Sequence, residues 1–523
     1  MIPAAARARL LPPSHGLLLA AACIGPLLVL VPILTILGQA AWIAPGEAAG
    51  LLFRPLVGRL LENTVSLVAA STVAAALVGT AVAWCVERTR LPGRRIWAVL
   101  VAVPLAIPPF VTSYAWVSLS DGLQDFAGAL LVVTSAYYPL IYLPVAAALR
   151  GMDPALEETA RALGCSPSAC FWRVVLPQLR PALFGGMLLV ALNVMVEFGA
   201  FSLLRYRTFT TEIYAEYRTG FAGSGAALLA AVLVLGCLLL LAGEAFLRGR
   251  SRYARVARFT RRPATLLGLG WTVLPVLAGL ALLVALTIGV PVGMVLYWLT
   301  QPGSAASSPV LATLSGLVSA TLASVGFGAA AAGLTVALAI PLGYLAVRHP
   351  GRAATTLERA SFLAQGVPGI VVALALVGIA VQLLRPLYQS AGLLVVAYSI
   401  LFLPLALVGV RTAFAQVPRG LDEAARSLGL AWPELFRRVL LPVAGPGLGA
   451  AAALVFVSTV TELTTTLLLS PIGTRTLATQ VWVDTSTLAF AAAAPYAALM
   501  VTLSLLSTWL LVRRYGAGVA GMS

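Results

Sequence analysis

The sequence predicts an all-α polytopic membrane protein with about twelve transmembrane helices, arranged as two tandem six-helix halves in parallel orientation. Three observations predict it: an apolar composition, apolar runs of membrane-spanning length along the whole chain, and an internal repeat at a constant offset. The 523 residues are 60% hydrophobic and only 10% charged, whereas soluble domains have about 25% charged residues. Much of the surface is therefore expected to face lipid.

Runs of about 20 apolar residues, enough to cross a hydrocarbon core of about 30 Å, recur throughout the chain. The first half is predicted at 1–247 and the second at 264–523, with an arginine-rich linker at 248–263 between them. The predicted helices lie near 17–42, 60–84, 96–119, 128–149, 181–204, 225–247, 266–299, 315–346, 361–384, 391–411, 446–469 and 488–512.

The distribution of arginines predicts the orientation. All 34 basic residues are arginines, and most follow even-numbered helices or flank the two termini. Only seven fall in the loops after odd-numbered helices, namely Arg54, Arg59, Arg205, Arg207, Arg218, Arg385 and Arg475. By the positive-inside rule both termini should be cytoplasmic. Topology therefore accounts for the net charge of +16, and no nucleic-acid partner is expected.

The residue inventory excludes several kinds of chemistry. Without lysine the chain has neither a Walker A phosphate loop nor a Schiff-base lysine, so it does not hydrolyse ATP through a P-loop of its own. The five cysteines form no CxxC pair, and His15 and His349 are the only histidines. No metal site and no catalytic constellation is therefore expected.

A repeated segment defines the two halves. Residues 157–177 read EETARALGCSPSACFWRVVLP, and residues 422–442 read DEAARSLGLAWPELFRRVLLP. Ten of the 21 positions are identical at an offset of 265, where chance gives about two. Each copy follows the fourth helix of its half and precedes the fifth, so both are expected on the cytoplasmic side. Parallel repeats of this kind pack about an axis along the membrane normal, with a substrate path between them.

Each copy predicts a helix, a glycine turn and a second helix. The first helix begins after Pro154 or Pro418, with acidic residues favoured in its first turn by the helix dipole. Gly164 and Gly429 stand where a helix ends in a left-handed residue.

The second short helix is predicted to be amphipathic, with Phe171 or Phe436 on its apolar face. Such a unit has the shape to fill a groove in a partner protein. The alternative is an interfacial loop whose helices lie on the lipid headgroups. Two near-identical copies on one side of the membrane favour the partner.

These residues resemble the EAA loop of type I ABC importer permeases, which couples each permease half to an ATPase. The duplicated form is similar to the ferric-iron and thiamine importer permeases, in which one chain supplies both halves. Glu423, Ala424 and Ala425 match the motif, whereas Thr159 replaces its first alanine in the first copy. The segments VEFGAFSLL (196–204) and TELTTTLLLSPIGTRTLATQVW (461–482) resemble those that follow the loops in the iron group.

The resemblance implies a permease subunit in a bacterial inner membrane. Its partners would be two copies of a cytoplasmic P-loop ATPase and a periplasmic or lipid-anchored substrate-binding protein. ATP would bind to the ATPase, and this chain would carry no cofactor. Ferric iron is the expected substrate, with thiamine, a phosphonate or a polyamine as alternatives in the same class. Outside the class, a twelve-helix secondary transporter is the main rival.

The resemblance also implies roles for residues in the two loops, 153–177 and 418–442. The acidic residues would contact basic groups on the ATPase, the glycines would set the turns, and the phenylalanines would anchor the second helix in the ATPase groove. The implied coupling residues are Glu158, Ala160, Gly164, Phe171 and Pro177 in the first loop, and Glu423, Ala425, Gly429, Phe436 and Pro442 in the second.

Glu197 and Glu462 also lie at the offset of 265, each in the predicted fifth helix of its half. A carboxylate within a span costs about 2.5–3.5 kcal/mol on insertion scales, so it is expected to face a cavity or a partner. One interpretation is an acidic lining of the substrate pathway, suited to a cation. The other is a hydrogen-bonded contact between helices. The sequence favours neither.

Prolines are expected to bend the third and ninth helices. Proline removes a backbone donor and crowds the preceding turn. The residues concerned are Pro104, Pro108, Pro109 and Pro368. Ordinary bends are favoured over a direct role with substrate.

Overall fold

The computed structural model describes residues 15–219, 224–248, 266–301, 310–430 and 432–515. These residues are almost entirely helical, and their only β-feature is an isolated parallel bridge between Thr89 and Leu267. Both termini and residues 249–263 of the predicted linker lie outside the described ranges.

Ten helices in the described part of the chain are long and apolar enough to cross a membrane, and the number is twelve if each of two bent helix pairs is counted as one span. The twelve agree with the predicted helices, and we number them as spans in chain order. The ten are Gly16–Ala41, Pro55–Arg88, Phe126–Gly151, Ser168–Val196, Ser224–Gly243, Gly270–Thr300, Leu314–Arg348, Ala391–Gln416, Pro433–Val460 and Phe490–Ser507. The bent pairs are the third span, Arg94–Ala106 with Pro109–Leu119, and the ninth, Arg352–Gly366 with Gly369–Leu383.

Shorter helices connect the spans. They are Pro45–Leu52, Asp121–Leu123, Pro154–Ala162, Gly199–Leu203, Phe209–Thr219, Arg385–Leu387, Arg419–Ser427, Thr464–Leu469 and Leu477–Ser486. Pro154–Ala162 and Arg419–Ser427 are the predicted first helices of the two loops. Gly199–Leu203 and Thr464–Leu469 follow the fifth and eleventh spans directly.

The third and ninth spans are broken, whereas the sequence predicted single helices. Their two segments meet at 90° and 103°. Ile107 and Val367, at the breaks, are extended, because a following proline disfavours helical geometry. Pro108 and Pro368 therefore cause sharper turns than the ordinary bends that were expected.

The sequence predicted a separate second helix in each loop. In the structure this helix instead runs on into the next span. In the first loop the amide of Leu176 donates to the carbonyl of Phe171, five residues earlier, in a π-turn. The second loop has the same turn at Phe436–Leu440. Pro177 and Pro442 follow these turns. A proline cannot make the usual bond to the carbonyl four residues back, and a π-turn is one of the few local distortions that keep a helix continuous there.

Contacts divide the chain into two compact units. One comprises the described residues within 1–44, 307–481 and 502–523. In this unit the first span packs along the eighth and ninth spans. A Cβ atom at Gly25 would lie 3.0 Å from a methyl group of Leu403 in the tenth span, so the first and tenth spans approach closely there. The predicted halves, 1–247 and 264–523, were drawn from the sequence repeat and not from contacts. That division of the chain stays a prediction.

The other unit comprises residues 45–306 and 482–501. Here the second and fifth spans both pack against the fourth. A Cβ atom at Gly79 would lie 2.9 Å from the carbonyl oxygen of Tyr138, and one at Gly186 would lie 2.9 Å from Cα of Ile141. Small residues allow this close approach of backbones, which is a main source of helix association in membranes.

Gly79→Ala should therefore destabilise the protein. The added methyl group would meet backbone atoms, which cannot move aside as a flexible side chain can, and overpacking costs about 1–3 kcal/mol. Thermal unfolding in detergent, followed by size-exclusion chromatography, measures the change. Gly58→Ala, in the same helix but with no atom within 4 Å of the added methyl group, is the matched control and should be neutral or stabilising. Equal behaviour of the two variants would contradict the packing argument.

Candidate functional site

The first loop begins with a capped helix. The side chain of Asp153 accepts a hydrogen bond from the amide of Ala155 at 3.0 Å, which satisfies a donor at the start of Pro154–Ala162. Along this helix Glu158 is exposed, whereas Ala160 is buried. The acidic residue is therefore open to a partner, and the small residue faces inward.

Gly164 ends this helix in the left-handed conformation, as predicted, with φ of 85°. The amide of Cys165 donates to the carbonyl of Ala160 at 3.0 Å, a bond that the left-handed residue makes possible. A Cβ atom at Gly164 would find no atom within 4 Å. The residue type at this position is therefore restricted by the left-handed backbone conformation and not by neighbouring atoms.

The second loop repeats the arrangement. Gly429 follows helix Arg419–Ser427 with φ of 80°, again as predicted, and the amide of Leu430 donates to the carbonyl of Ala425 at 3.2 Å. Glu423 is exposed and Ala425 is buried. The two copies thus agree in their acidic, small and turn residues.

The phenylalanines of the loops are half-buried. The ring of Phe171 packs edge-to-face on Trp84 of the second span, with 5.0 Å between centroids. Its neighbour Trp172 is exposed. Phe436 is also half-buried at the start of its π-turn. A contact of Phe171 or Phe436 with an ATPase stays a prediction, and Phe171 already contacts a side chain of its own unit.

The sequence predicted that Glu197 and Glu462 lie inside helices. In the structure they lie just past the fifth and eleventh spans, which end at Val196 and Val460. Glu197 accepts hydrogen bonds from the amide of Ala200 at 3.0 Å and from the hydroxyl of Tyr137 at 2.7 Å. The carboxylate therefore caps the short helix Gly199–Leu203 that follows the fifth span. The free amide groups at the start of a helix favour an anion there.

Glu462 caps the corresponding short helix of the other unit. It accepts from the amides of Thr465 at 3.0 Å and Thr466 at 3.3 Å, and from both of their hydroxyls. The hydroxyl oxygen of Thr465 also lies 3.3 Å from the carbonyl oxygen of Gly369. The short helix after the eleventh span thus meets the ninth span at its bend. Both glutamates are half-buried.

Sequence reasoning missed the partners of these carboxylates. Tyr137 and Tyr398 occupy the fourth and tenth spans, and the hydroxyl of Tyr398 lies 2.6 Å from that of Thr466. Tyr137 donates to Glu197 directly, whereas Tyr398 contacts Thr466, which bonds Glu462. Both tyrosines are far from the glutamates in the sequence, so no local signal indicated them. Across the described ranges, no group of three or more His, Cys, Asp or Glu side chains could hold a metal ion.

The geometry defines a transport protein with two matched loops and two broken spans. Residues 75–253 and 336–514 each match the family described as the binding-protein-dependent transport system inner membrane component. The chain belongs to this family, as a fused two-repeat permease that spans an inner membrane several times. It is a transport subunit and not an enzyme.

Individual relatives cover much of the chain. It is 38% identical to an Fe(3+)-transport system permease protein of Haemophilus influenzae, over 92% of this chain and 95% of the relative. It is 26% identical to a probable ABC transporter permease of Sinorhizobium fredii, over 74% of each chain. A chloroplastic sulfate permease of Chlamydomonas reinhardtii is 32% identical over 42% of this chain and 65% of the relative.

Proposed function

We propose that this chain is the membrane-spanning subunit of an ATP-driven importer for ferric iron. The observation that carries the proposal is its similarity, over 92% of its length, to a permease of an Fe(3+)-transport system. The sulfate permease is similar over less than half of the chain. Ferric iron is therefore favoured over thiamine, a phosphonate and a polyamine, and a secondary transporter would not need two matched loops.

We further propose that each loop receives one copy of a cytoplasmic ATPase. Two exposed acids, Glu158 and Glu423, on helices with the same glycine turn support two equivalent docking places. In this arrangement both termini are cytoplasmic, and a periplasmic or lipid-anchored binding protein delivers the substrate on the other side. ATP binds between the ATPase subunits, and this chain binds no cofactor.

The remaining loop residues are proposed to shape the docking place. Ala160 and Ala425 let the first helix lie close to its unit, and Gly164 and Gly429 set its angle. Phe171 and Phe436 begin the π-turns through which the loops continue into the fifth and eleventh spans, and Pro177 and Pro442 follow those turns. A push on either loop would therefore act directly on the helix that leads to Glu197 or Glu462.

Affinity purification from native membranes in mild detergent tests the partners, and uptake by the reconstituted complex tests the substrate. We expect a P-loop ATPase and a binding protein to co-purify. In proteoliposomes the complex should take up radioactive iron from the ferric binding protein when ATP is present, and should take up neither sulfate nor thiamine. Sulfate or thiamine uptake without iron uptake would contradict the substrate. Purification of the chain alone in several detergents would contradict the importer class.

Glu197 and Glu462 are proposed to line the substrate pathway, held in place by their capping bonds. The double variant Glu197→Gln/Glu462→Gln keeps one carbonyl oxygen per side chain for the cap but removes the charge. It should insert and bind the ATPase normally. Iron uptake should fall about tenfold or more, because a hydrogen bond or contact to a charged group is worth about 1.5–3 kcal/mol.

Glu62→Gln, an exposed acid of the second span, is the matched control and should transport at the parental rate. If the double variant also transports at that rate, the two carboxylates serve only to cap the short helices that follow the fifth and eleventh spans. Its thermal stability would then show how much the charged caps contribute to the fold.

A further inference from the structure

The end of the second span holds a buried arginine. Arg88 is the last residue of Pro55–Arg88, and only 3% of its surface is exposed. Arginine is rarely buried in this way, because moving a charge out of water is unfavourable unless an opposite charge lies beside it. A specific partner is therefore required.

The partner is Glu157, in the first turn of loop helix Pro154–Ala162. One guanidinium nitrogen of Arg88, Nη2, lies 2.8 Å from Oε1 of Glu157, which is itself buried. The next residue, Glu158, is exposed. The two adjacent acids of the first loop are thus used differently: Glu157 is bound within the chain, and Glu158 is open to a partner.

A second contact from the same helix face reaches the other part of the loop. Trp84 lies four residues before Arg88, so the two side chains are neighbours on the helix surface. The ring of Trp84 contacts Phe171, which begins the π-turn after Gly164. One face of the second span therefore contacts both helices of the loop, one on each side of the glycine turn.

The end of the second span is also fixed through its backbone and its other charged residue. The amide of Leu267 donates to the carbonyl of Arg88 at 2.9 Å, and the amide of Arg90 donates to the carbonyl of Leu267 at 2.9 Å. Oε1 of Glu87 lies 3.6 Å from Nε of Arg150, near the end of the fourth span. A movement of the loop would therefore be transmitted to a braced helix end.

We propose that Arg88 and Glu157 are positioning residues that fasten the first loop to the second span, so that displacement of the loop by the ATPase moves that span. This inference rests on the proposed function, since it takes the loop to be the place where the ATPase acts. In the other unit Arg348 ends the eighth span, and its Nη2 donates to the carbonyl of Val417 at 3.2 Å, next to the second loop. In each unit an arginine at the end of a span thus contacts the loop or the residue just before it.

The test is the number of iron atoms transported per ATP hydrolysed by the reconstituted complex with its binding protein. Glu157→Gln should leave ATP hydrolysis near the parental rate and lower this ratio roughly tenfold, within the usual range of coupling between sites. Glu157→Asp, which keeps the charge but shortens the reach, should give an intermediate ratio. Arg54→Gln removes the ion pair with Glu216 at the opposite end of the second span, away from the loop, and should leave the ratio unchanged.

A parental ratio in assembled Glu157→Gln would overturn the proposal while leaving the proposed function intact, because parental transport is measured in the same assay. If Glu157→Gln does not accumulate, the charge-swapped variant R88E/E157R decides, since it leaves neither buried charge unpaired. Accumulation of the swapped variant with the parental ratio supports the pair as the link. Accumulation with a ratio as low as that expected for Glu157→Gln overturns it.

Discussion

Gly164→Val combined with Gly429→Val should abolish iron uptake while the protein still inserts into the membrane. Both glycines have φ near 80°, a region that a β-branched residue hardly occupies. A left-handed conformation costs an ordinary residue about 1–2 kcal/mol, so each loop helix would have to end differently and present its acidic residue elsewhere. Uptake by proteoliposomes, with protein level in membranes measured alongside, gives the result.

The effect should be graded by backbone preference. Gly164→Asn with Gly429→Asn should retain much of the activity, because asparagine tolerates the left-handed region. Gly420→Val is the matched control: it lies in the second loop, with open space at its Cβ position and no positive φ, and should transport normally. Parental uptake by the double valine variant would show that the turn geometry is not needed.

Reversal of both exposed loop acids should prevent recovery of the ATPase. Glu158→Arg with Glu423→Arg would place positive charges where basic groups on the ATPase are proposed to dock, and like charges across an interface cost several kcal/mol. Pull-down of the tagged permease in mild detergent should then yield no ATPase. Uptake should fall to background for the same reason.

Glu47→Arg is the control, since Glu47 is also an exposed acid in the first turn of a short helix but lies outside both loops. Its ATPase recovery should equal that of the parent. The residual association of a single reversal should weaken further as salt is raised, because exposed charges are screened. Full ATPase recovery by the double reversal would contradict docking through these acids.

Much of the architecture could be predicted from the sequence because it depends on local or periodic signals. Apolar runs fix the number of spans, and a glycine after an acidic, alanine-containing segment fixes a left-handed helix end at Gly164 and Gly429. Because the acidic residues and the turn glycine occur in both copies of the repeat, each copy supported the prediction made for the other.

The remaining features depend on contacts between distant parts of the chain. Glu197 looked like a residue within a helix because its neighbours are apolar, and the break follows from its bonds to Tyr137 and to the next short helix. Arg88 and Glu157 are separated by 68 intervening residues, and nothing in either local pattern indicates the pair. The sequence distinguished Glu157 from Glu158 only through the motif, whereas the structure buries Glu157 against Arg88 and leaves Glu158 exposed.

The most direct measurement of the central claim is uptake of radioactive iron by proteoliposomes that contain this chain and its co-purified ATPase, with the ferric binding protein on the outside. We expect iron to accumulate inside only when ATP and both partners are present, and expect the double valine variant to give background counts. Iron uptake by the chain alone, or an assembled and ATP-hydrolysing complex that takes up no iron, would contradict the account.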